Sequence, residues 1–571
     1  MFKKIYWPAV LGIFGCFLLY LLFSFSSWKE PIMGDEVNVL VAAKALFDRT
    51  ITDFFIAHGD ASFGLWHPPA YVTVVGWLGR LLGSYETAGR LFSVSCFLIS
   101  LMLIYAIACA LFRGSKNYRQ IGLLSSFLFA INPLAIRGSL LLDIDGALLN
   151  LATLLFIWAL MRLGNRKPKP VYFSVLIFLF SCLMWVKLSS PVLLIISMLI
   201  YQLWKKDFLK VRQILFVSIG AALLFYCTWI FYCYIHGRDA GLLFKVPKEV
   251  INQFFIRNSK GQQWGFLARN IWTLTVWTSV PFMLLSIISL FKVFKQKDAS
   301  RESLFSLKQF AFYGAVVLLT YMFVGGLTHS FPKYHYAMVP VFSVLIASLV
   351  SQQLPLSKKE MVYLGLCFAF LIFFNTAIVS DPLYRINYIL KEDIILTSGM
   401  HSRQILLEEL IRFLLMLGTI PLACLFLLQR VKKPLLAALL VALLAANLSL
   451  SLVQVRAGYN TVYCYGAEGV REAARFLRQH TDPAKPIIAP PEIKWLANEN
   501  LLSYPMNVYL KDSDGFVNAM KRNQIQCLVY GITGNTVAQY KVIFNNGSVK
   551  KFLEENYKVF QIGSYTVWLR N

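Results

Sequence analysis

Apolar blocks of about 20 residues, the length that crosses the hydrocarbon core of a bilayer, follow one another along most of the chain up to residue 455. A single block of that kind could be a buried core helix. About a dozen in series cannot be covered by the polar surface that a soluble protein needs. Apolar length, with breaks at charged or Pro/Gly clusters, predicts about 13 spans, near 5–27, 86–111, 120–136, 140–161, 171–187, 190–204, 213–235, 271–291, 309–328, 334–351, 361–379, 405–429 and 434–455. The hydrocarbon core offers the backbone no hydrogen-bond partner, so such spans are helices. The expected fold is an all-α polytopic membrane domain over residues 1–455. Composition agrees: 57% of the chain is hydrophobic and 15% charged, against roughly half and a quarter in soluble domains.

A net charge of +26 would point to nucleic acid in a soluble protein. Here the basic residues lie in short loops between apolar blocks, where they set topology, and no nucleic-acid partner is expected. With the N-terminus inside, each predicted inner loop is basic: Arg113, Lys116 and Arg119; Arg162, Arg166, Lys167 and Lys169; Lys205, Lys206, Lys210 and Arg212; Lys292, Lys295, Lys297 and Arg301; Lys358 and Lys359; Arg430, Lys432 and Lys433. A missed span would invert everything downstream of it and spoil this match. Met1 to Phe25 carries two lysines before its apolar run and no small-residue cleavage site, so it is expected to be an uncleaved first span.

This topology puts three longer segments outside, 28–85, 236–270 and 380–404, and after them a change of composition. Residues 456–571 read as a soluble outer domain. Val470, Ala473, Ala474 and Leu477 recur at helical spacing, and short apolar runs at Pro486–Ala489, Cys527–Tyr530 and Tyr565–Leu569 are strand-like, a small α/β pattern. Eight of the ten cysteines lie in or beside predicted spans, and only Cys464 and Cys527 fall in this domain. Outside the cell these two could form a disulfide; alternatively Cys527 is a buried strand residue.

The polar groups near the spans gather on the predicted outer face. Asp35 and Glu36 follow span one; adjacent carboxylates can divide a proton-accepting role from an orienting or metal-holding one, or can simply be a solvated acid pair. The pair is compatible with a divalent metal ion and does not require one. His67-Pro68-Pro69-Ala70-Tyr71 reads as a proline-fixed extended turn that would hold His67 and Tyr71 in place. Arg90 stands near the outer start of span two, and Arg137, Asp143 and Asp145 flank the turn between spans three and four. Lys187 ends span five, and Lys333-Tyr334-His335-Tyr336 opens span ten. Arg90 and Lys187 could merely snorkel, the aspartates could complement a helix N-terminus, and the tyrosines could form an aromatic belt. Taken together, these residues supply acids for base chemistry and cations for a phosphate at one interface. A transporter would be expected to place its polar groups near the midplane.

The Asp35-Glu36 pair, His67-Pro68-Pro69-Ala70-Tyr71, the Asp145 segment and Lys333-Tyr334-His335-Tyr336, in this order, resemble the protein O-mannosyltransferase and aminoarabinose-transferase group. These are GT-C fold glycosyltransferases of the family 39 and 83 kind, and the resemblance covers the membrane region. It implies a polytopic GT-C domain and inverting transfer of a sugar from a polyprenyl-phosphate donor to an acceptor outside. Asp35 matches the acid that deprotonates the acceptor, with Glu36 its neighbour. His67 stands where some relatives carry Lys. The second motif holds both Asp143 and Asp145, and the reading takes Asp145. Arg90, Lys187, Lys333 and His335 are the candidates to stabilise the departing phosphate, with Tyr71 and Tyr334 beside them as substrate contacts. The lack of a sugar-binding insertion typical of eukaryotic members implies a bacterial enzyme of the cytoplasmic membrane. The alternatives are an outer-face polyprenyl-linked glycan polymerase or ligase, and a lipid or sugar transporter or flippase that needs no catalytic acid.

Overall fold

A computed structural model describes residues 7–25, 28, 32, 35–46, 68–163, 170–235, 239–259, 263–296, 305–324, 333–353, 357–374, 414, 417–457, 469–482, 484–497, 513–531, 546–563 and 565–571. The described part of each predicted apolar block is mainly helical, but the block 140–161 is helical only from Ala147, after a turn at 141–146. In chain order these helices, with those between them, are α1 (Trp7–Ser24), α2 (Asp35–Ala45), α3 (Ala70–Leu82), α4 (Tyr85–Leu111), α5 (Tyr118–Ala130), α6 (Pro133–Leu140), α7 (Ala147–Leu163), α8 (Pro170–Val186), α9 (Ser189–Trp204) and α10 (Phe208–Ile235). They continue with α11 (Lys245–Ser259), α12 (Gln263–Thr278), α13 (Val280–Lys295), α14 (Leu307–Phe323), α15 (Val339–Gln353), α16 (358–374), α17 (Leu417–Leu427) and α18 (Pro434–Ala457).

Among the described residues α1, α4, α10, α18 and the segment Lys333–Gln353 are long and apolar enough to cross a membrane one by one. The α5–α6 pair, bent by 67°, is long and apolar enough for a sixth if its two helices make one span. The other apolar helices are shorter. The outward faces show the solvent for which they are built: on α10, Phe216, Ile219, Leu223 and Phe231 are each about 60% exposed, which only lipid accommodates.

Three other predicted elements differ from the structure. The block 120–136 is broken at Ile131–Asn132, because the Asn132 side chain accepts from the Leu134 and Ala135 amides and caps a new helix, with Pro133 at its first position. The block 271–291 breaks at Ser279, whose φ of 73° ends α12 before Pro281 in the first turn of α13. The outer segment 28–85, read as a loop, contains α2 and α3, and the expected extended turn gives way at Ala70 to α3.

An aromatic column holds the first half of the bundle together. Tyr20 of α1 stacks on Phe97 of α4 at 4.1 Å, Phe97 on Phe129 of α5 at 5.0 Å, and Phe129 on Tyr336 at 6.1 Å. Tyr336 belongs to the 3₁₀ segment Lys333–Met338 that leads into α15. Its ring lies over Gly138 of α6, where an added Cβ would meet the ring at 2.9 Å. The Tyr20 hydroxyl accepts from Ser139 at 2.8 Å and ties α1 to the same helix.

Beyond α18 lies a small sheet domain with α19 (Val470–His480), α20 (Pro491–Ala497), α21 (Ser513–Arg522) and α22 (Gly547–Asn556). Its strands β1 (Ile487–Ile488), β2 (Cys527–Gly531), β3 (Tyr557–Ile562) and β4 (Tyr565–Arg570) are ordered β1-β2-β4-β3. β1 runs parallel to β2, and β4 is antiparallel to both β2 and β3, pairing Val529 with Val567 and Ile562 with Tyr565. Three strands fall on the predicted runs, and β3 is additional. Cys527 is fully buried in β2 among Val470, Ala473 and Ile487, where burial pushes its thiol pKa up; Cys464 lies outside the described residues.

Candidate active site

The site is built around the turn 141–146 between α6 and α7. Asp143 and Asp145 both lie in it, 4% and 5% exposed, so each carboxylate needs a partner in the protein. Lys333 donates to Asp143 Oδ2 at 2.6 Å and stands 3.9 Å from Asp145 Oδ2. Lys187, at the break between α8 and α9, donates to Asp145 Oδ1. Two buried cations and two buried anions thus meet from three parts of the chain and cancel in charge. The turn closes on itself: the Asp145 amide donates to Asp143 Oδ1 at 3.4 Å and the Gly146 amide to the Asp143 carbonyl at 3.1 Å. A Cβ at Gly146 would come within 3.0 Å of the Gly138 and Leu141 carbonyl oxygens, so only glycine lets the turn pack this closely.

Glu36 fixes α2 to this turn. Its Oε1 accepts from the Leu142 amide at 3.0 Å, and its side chain is 2% exposed. Asp35 begins α2 one residue earlier. α2 is held from below by an apolar cluster of Val37, Leu40 and Val41 with Tyr71, Val75, Leu142 and Ile144. Tyr71 is fully buried there, and its hydroxyl pairs with Ser93 Oγ at 3.0 Å. That packing fastens α3 to α4, where the sequence suggested a substrate contact.

Tyr334 packs over both lysines, its ring centroid 4.6 Å from Lys187 Nζ and 5.5 Å from Lys333 Nζ. Tyr321 of α14 stacks on Tyr334 at 5.5 Å, and its hydroxyl lies 3.2 Å from Ser189 Oγ. His335 is buried with its ring edge-on to Tyr321, and among the described residues its Nε2 has no hydrogen-bond partner. Arg90 stands apart from this cluster, 3% exposed and 3.5 Å from Glu86 one helical turn back. His67 lies outside the described residues. No group of three or more His, Cys, Asp or Glu among the described residues could hold a metal ion.

The structure therefore brings together Glu36, Asp143, Asp145, Lys187, Lys333 and Tyr334, and sets Arg90 on a neighbouring ion pair. Sequence reasoning missed Tyr321 and the glycine at 146, because an aromatic in an apolar block and a lone glycine look the same wherever they sit. The pairing of Lys187 with Asp145 was also hidden, since 42 residues separate them in the chain. An ammonium and two carboxylates at one end of apolar blocks were its only signal.

Residues 66–232 match the dolichyl-phosphate-mannose-protein mannosyltransferase family. Comparison with curated proteins finds none that matches. The whole chain is similar in structure to ArnT from Cupriavidus metallidurans bound to undecaprenyl phosphate, at 14% identity and a TM-score of 0.58, over 99% of this chain and 98% of that one. The apo state of ArnT from Cupriavidus metallidurans is matched at 13% identity and the same TM-score of 0.58, over 98% and 97%. This likeness fixes the fold as a polytopic membrane GT-C fold, and the family segment within it marks the chain as a glycosyltransferase.

Proposed function

We propose that the chain is an inverting transferase that moves a sugar from a polyprenyl-phosphate donor to a lipid, glycan or protein acceptor at the outer face of a bacterial cytoplasmic membrane. The observation that carries this reading is the buried lysine–aspartate cluster on the turn to which Glu36 fastens α2, with Asp35 at the start of that helix. Asp35 removes the acceptor proton as the acceptor oxygen forms its bond to the anomeric carbon. The bond from that carbon to the phosphate oxygen breaks, and polyprenyl phosphate leaves with the electron pair. One displacement inverts the anomeric centre. Lys187 and Lys333 stabilise the negative charge growing on the phosphate, with Arg90, His67 and His335 as further donors and Tyr334 as a substrate contact. Glu36 aligns the helix that carries the base, and Tyr71 anchors the helix after it. ArnT, a structural neighbour, binds undecaprenyl phosphate, and a ligand of that chemistry fits a site whose cations lie among membrane helices.

The test is transfer by full-length protein in detergent micelles, offered undecaprenyl-phosphate-linked monosaccharides and extracts of envelope lipids and glycans, with release of undecaprenyl phosphate as the readout. Asp35→Asn should lower turnover about 100-fold or more, as loss of a general base does, while binding of undecaprenyl phosphate persists. Parental turnover in Asp35→Asn would sink the reading.

A further inference from the structure

Among the described residues, two contacts join the sheet domain to the membrane domain, one on the cluster that supports α2 and the site turn and one at the start of α4. The first is α20. Its residues Ile493 and Ala497, four apart and so on one face, enter the core of the sheet domain with Val470, Cys527 and Val567. Trp495 lies two residues from each, about 200° around the helix, and packs on the other side against the apolar cluster of α2, α3 and the site turn, the one that contains Val37, Tyr71, Leu142 and Ile144. The same short helix buries Glu492 and Lys494 at 5% and 2% exposure. Charges are not buried on a free surface, so this helix is enclosed on its charged sides as well. The second contact is electrostatic. Arg471 of α19 donates to Glu86 Oε1 at 3.3 Å, the same oxygen that faces Arg90 at 3.5 Å. Val470, Ala473, Ala474 and Leu477 of α19 meanwhile point into the sheet domain.

We infer that the sheet domain is a clamp on the catalytic elements: Trp495 presses on the cluster under α2, and Arg471 draws on the Glu86–Arg90 pair at the start of α4. Trp495 and Arg471 are positioning residues that act through α2 and α4. The contacts stand on the geometry; their catalytic consequence rests on the transferase reading. A base must be held within a fraction of an ångström of its working position, and misplacement by about 1 Å can cost on the order of 100-fold. A helix of 11 residues is marginal by itself, so a tryptophan bearing on its support has a large effect on its position.

The experiment compares the full-length parent with Trp495→Ala and Trp495→Phe in two readouts. In hydrogen–deuterium exchange, Trp495→Ala should raise exchange across residues 36–44 while strand β2 exchanges as in the parent, and Trp495→Phe should resemble the parent. In the undecaprenyl phosphate release assay, Trp495→Ala should lower kcat about tenfold with donor KM changed less than twofold, and Trp495→Phe should restore kcat. Unchanged exchange in α2, or loosened α2 with full kcat, overturns the clamp. A parent inactive on every donor offered counts against the transferase reading alone, because the exchange result still decides the contact.

Discussion

Lys187 and Lys333 enter the site already paired, and this changes what each mutation should do. A buried ammonium beside a buried carboxylate offsets part of its own desolvation, and removal of one partner leaves the other uncompensated at about 3–5 kcal/mol. Lys187→Ala should therefore lower stability by that amount as well as weaken donor use, whereas Lys187→Arg keeps the charge and should lose less on both counts. The double variant Lys187→Met, Asp145→Asn removes both charges and should unfold later than Lys187→Met alone. Thermal unfolding of the solubilised parent, Lys187→Met, Asp145→Asn and the double variant gives this coupling energy as a double-mutant cycle. Additive losses, with the double variant destabilised by the sum of the two single ones, would mean that the two groups do not share a bond, contrary to the contact between Lys187 Nζ and Asp145 Oδ1. On the proposed function, donor phosphate would draw the lysines partly away from Asp143 and Asp145. That is how a site can stay neutral in a membrane when empty and still offer positive charge to an incoming anion. The sequence showed the four residues as separate polar groups near one interface, with bland explanations open for Lys187 and the two aspartates. Only the fold reveals that they satisfy one another.

The helices were legible where apolar length alone decides them and less so where a single residue breaks them. α4, α8, α9, α10, α14 and α18 start and stop within a few residues of the predicted limits. The breaks at Asn132 and Ser279 were not, because hydropathy averages over a window and both residues sit inside apolar runs. α2 escaped notice for the converse reason: 11 residues beginning with two acids carry too little apolar length to register, although Val37, Leu40 and Val41 are fully buried. β3 was missed because it is an edge strand whose Val559 is 56% exposed and whose neighbours Lys558 and Gln561 are polar. The break at Ser279 can be tested directly. A residue other than glycine at φ 73° is strained by about 1–3 kcal/mol, and its fully buried hydroxyl has no hydrogen-bond partner among the described residues. Ser279→Gly should raise the unfolding temperature, and Ser279→Val, whose branched side chain resists positive φ, should lower it. The opposite order would show that the hydroxyl, and not the backbone, is what the break requires.

At the scale of the whole molecule the open matter is which way the bundle faces, and parity decides it. Between Lys297 and Arg456 the chain passes through α14, the Lys333–Gln353 segment, α16, α17 and α18. If each crosses once, that is an odd number, and the two ends lie on opposite sides. The basic residues favour this count. Lys292 and Lys295 close α13, Lys358 and Lys359 open α16, and Arg430, Lys432 and Lys433 precede α18, so every second connection is basic, as inner loops are. The weakest member is α17, whose described helix Leu417–Leu427 would rise only about 16 Å at 1.5 Å per residue, half the thickness of the hydrocarbon core. A reporter active only outside the cell should therefore work when fused after Arg456 and fail after Lys297. The reverse pattern would turn the molecule over and put the lysine–aspartate cluster on the side where nucleotide-linked sugars are made. Equal activity at both points would mean that one of the five does not cross, with α17 the first suspect. The sheet domain and the site would then still share a side, because Trp495 and Arg471 join them directly. In that event the fault would lie in the crossings between the fusion points, and the clamp and the site would move across the membrane together.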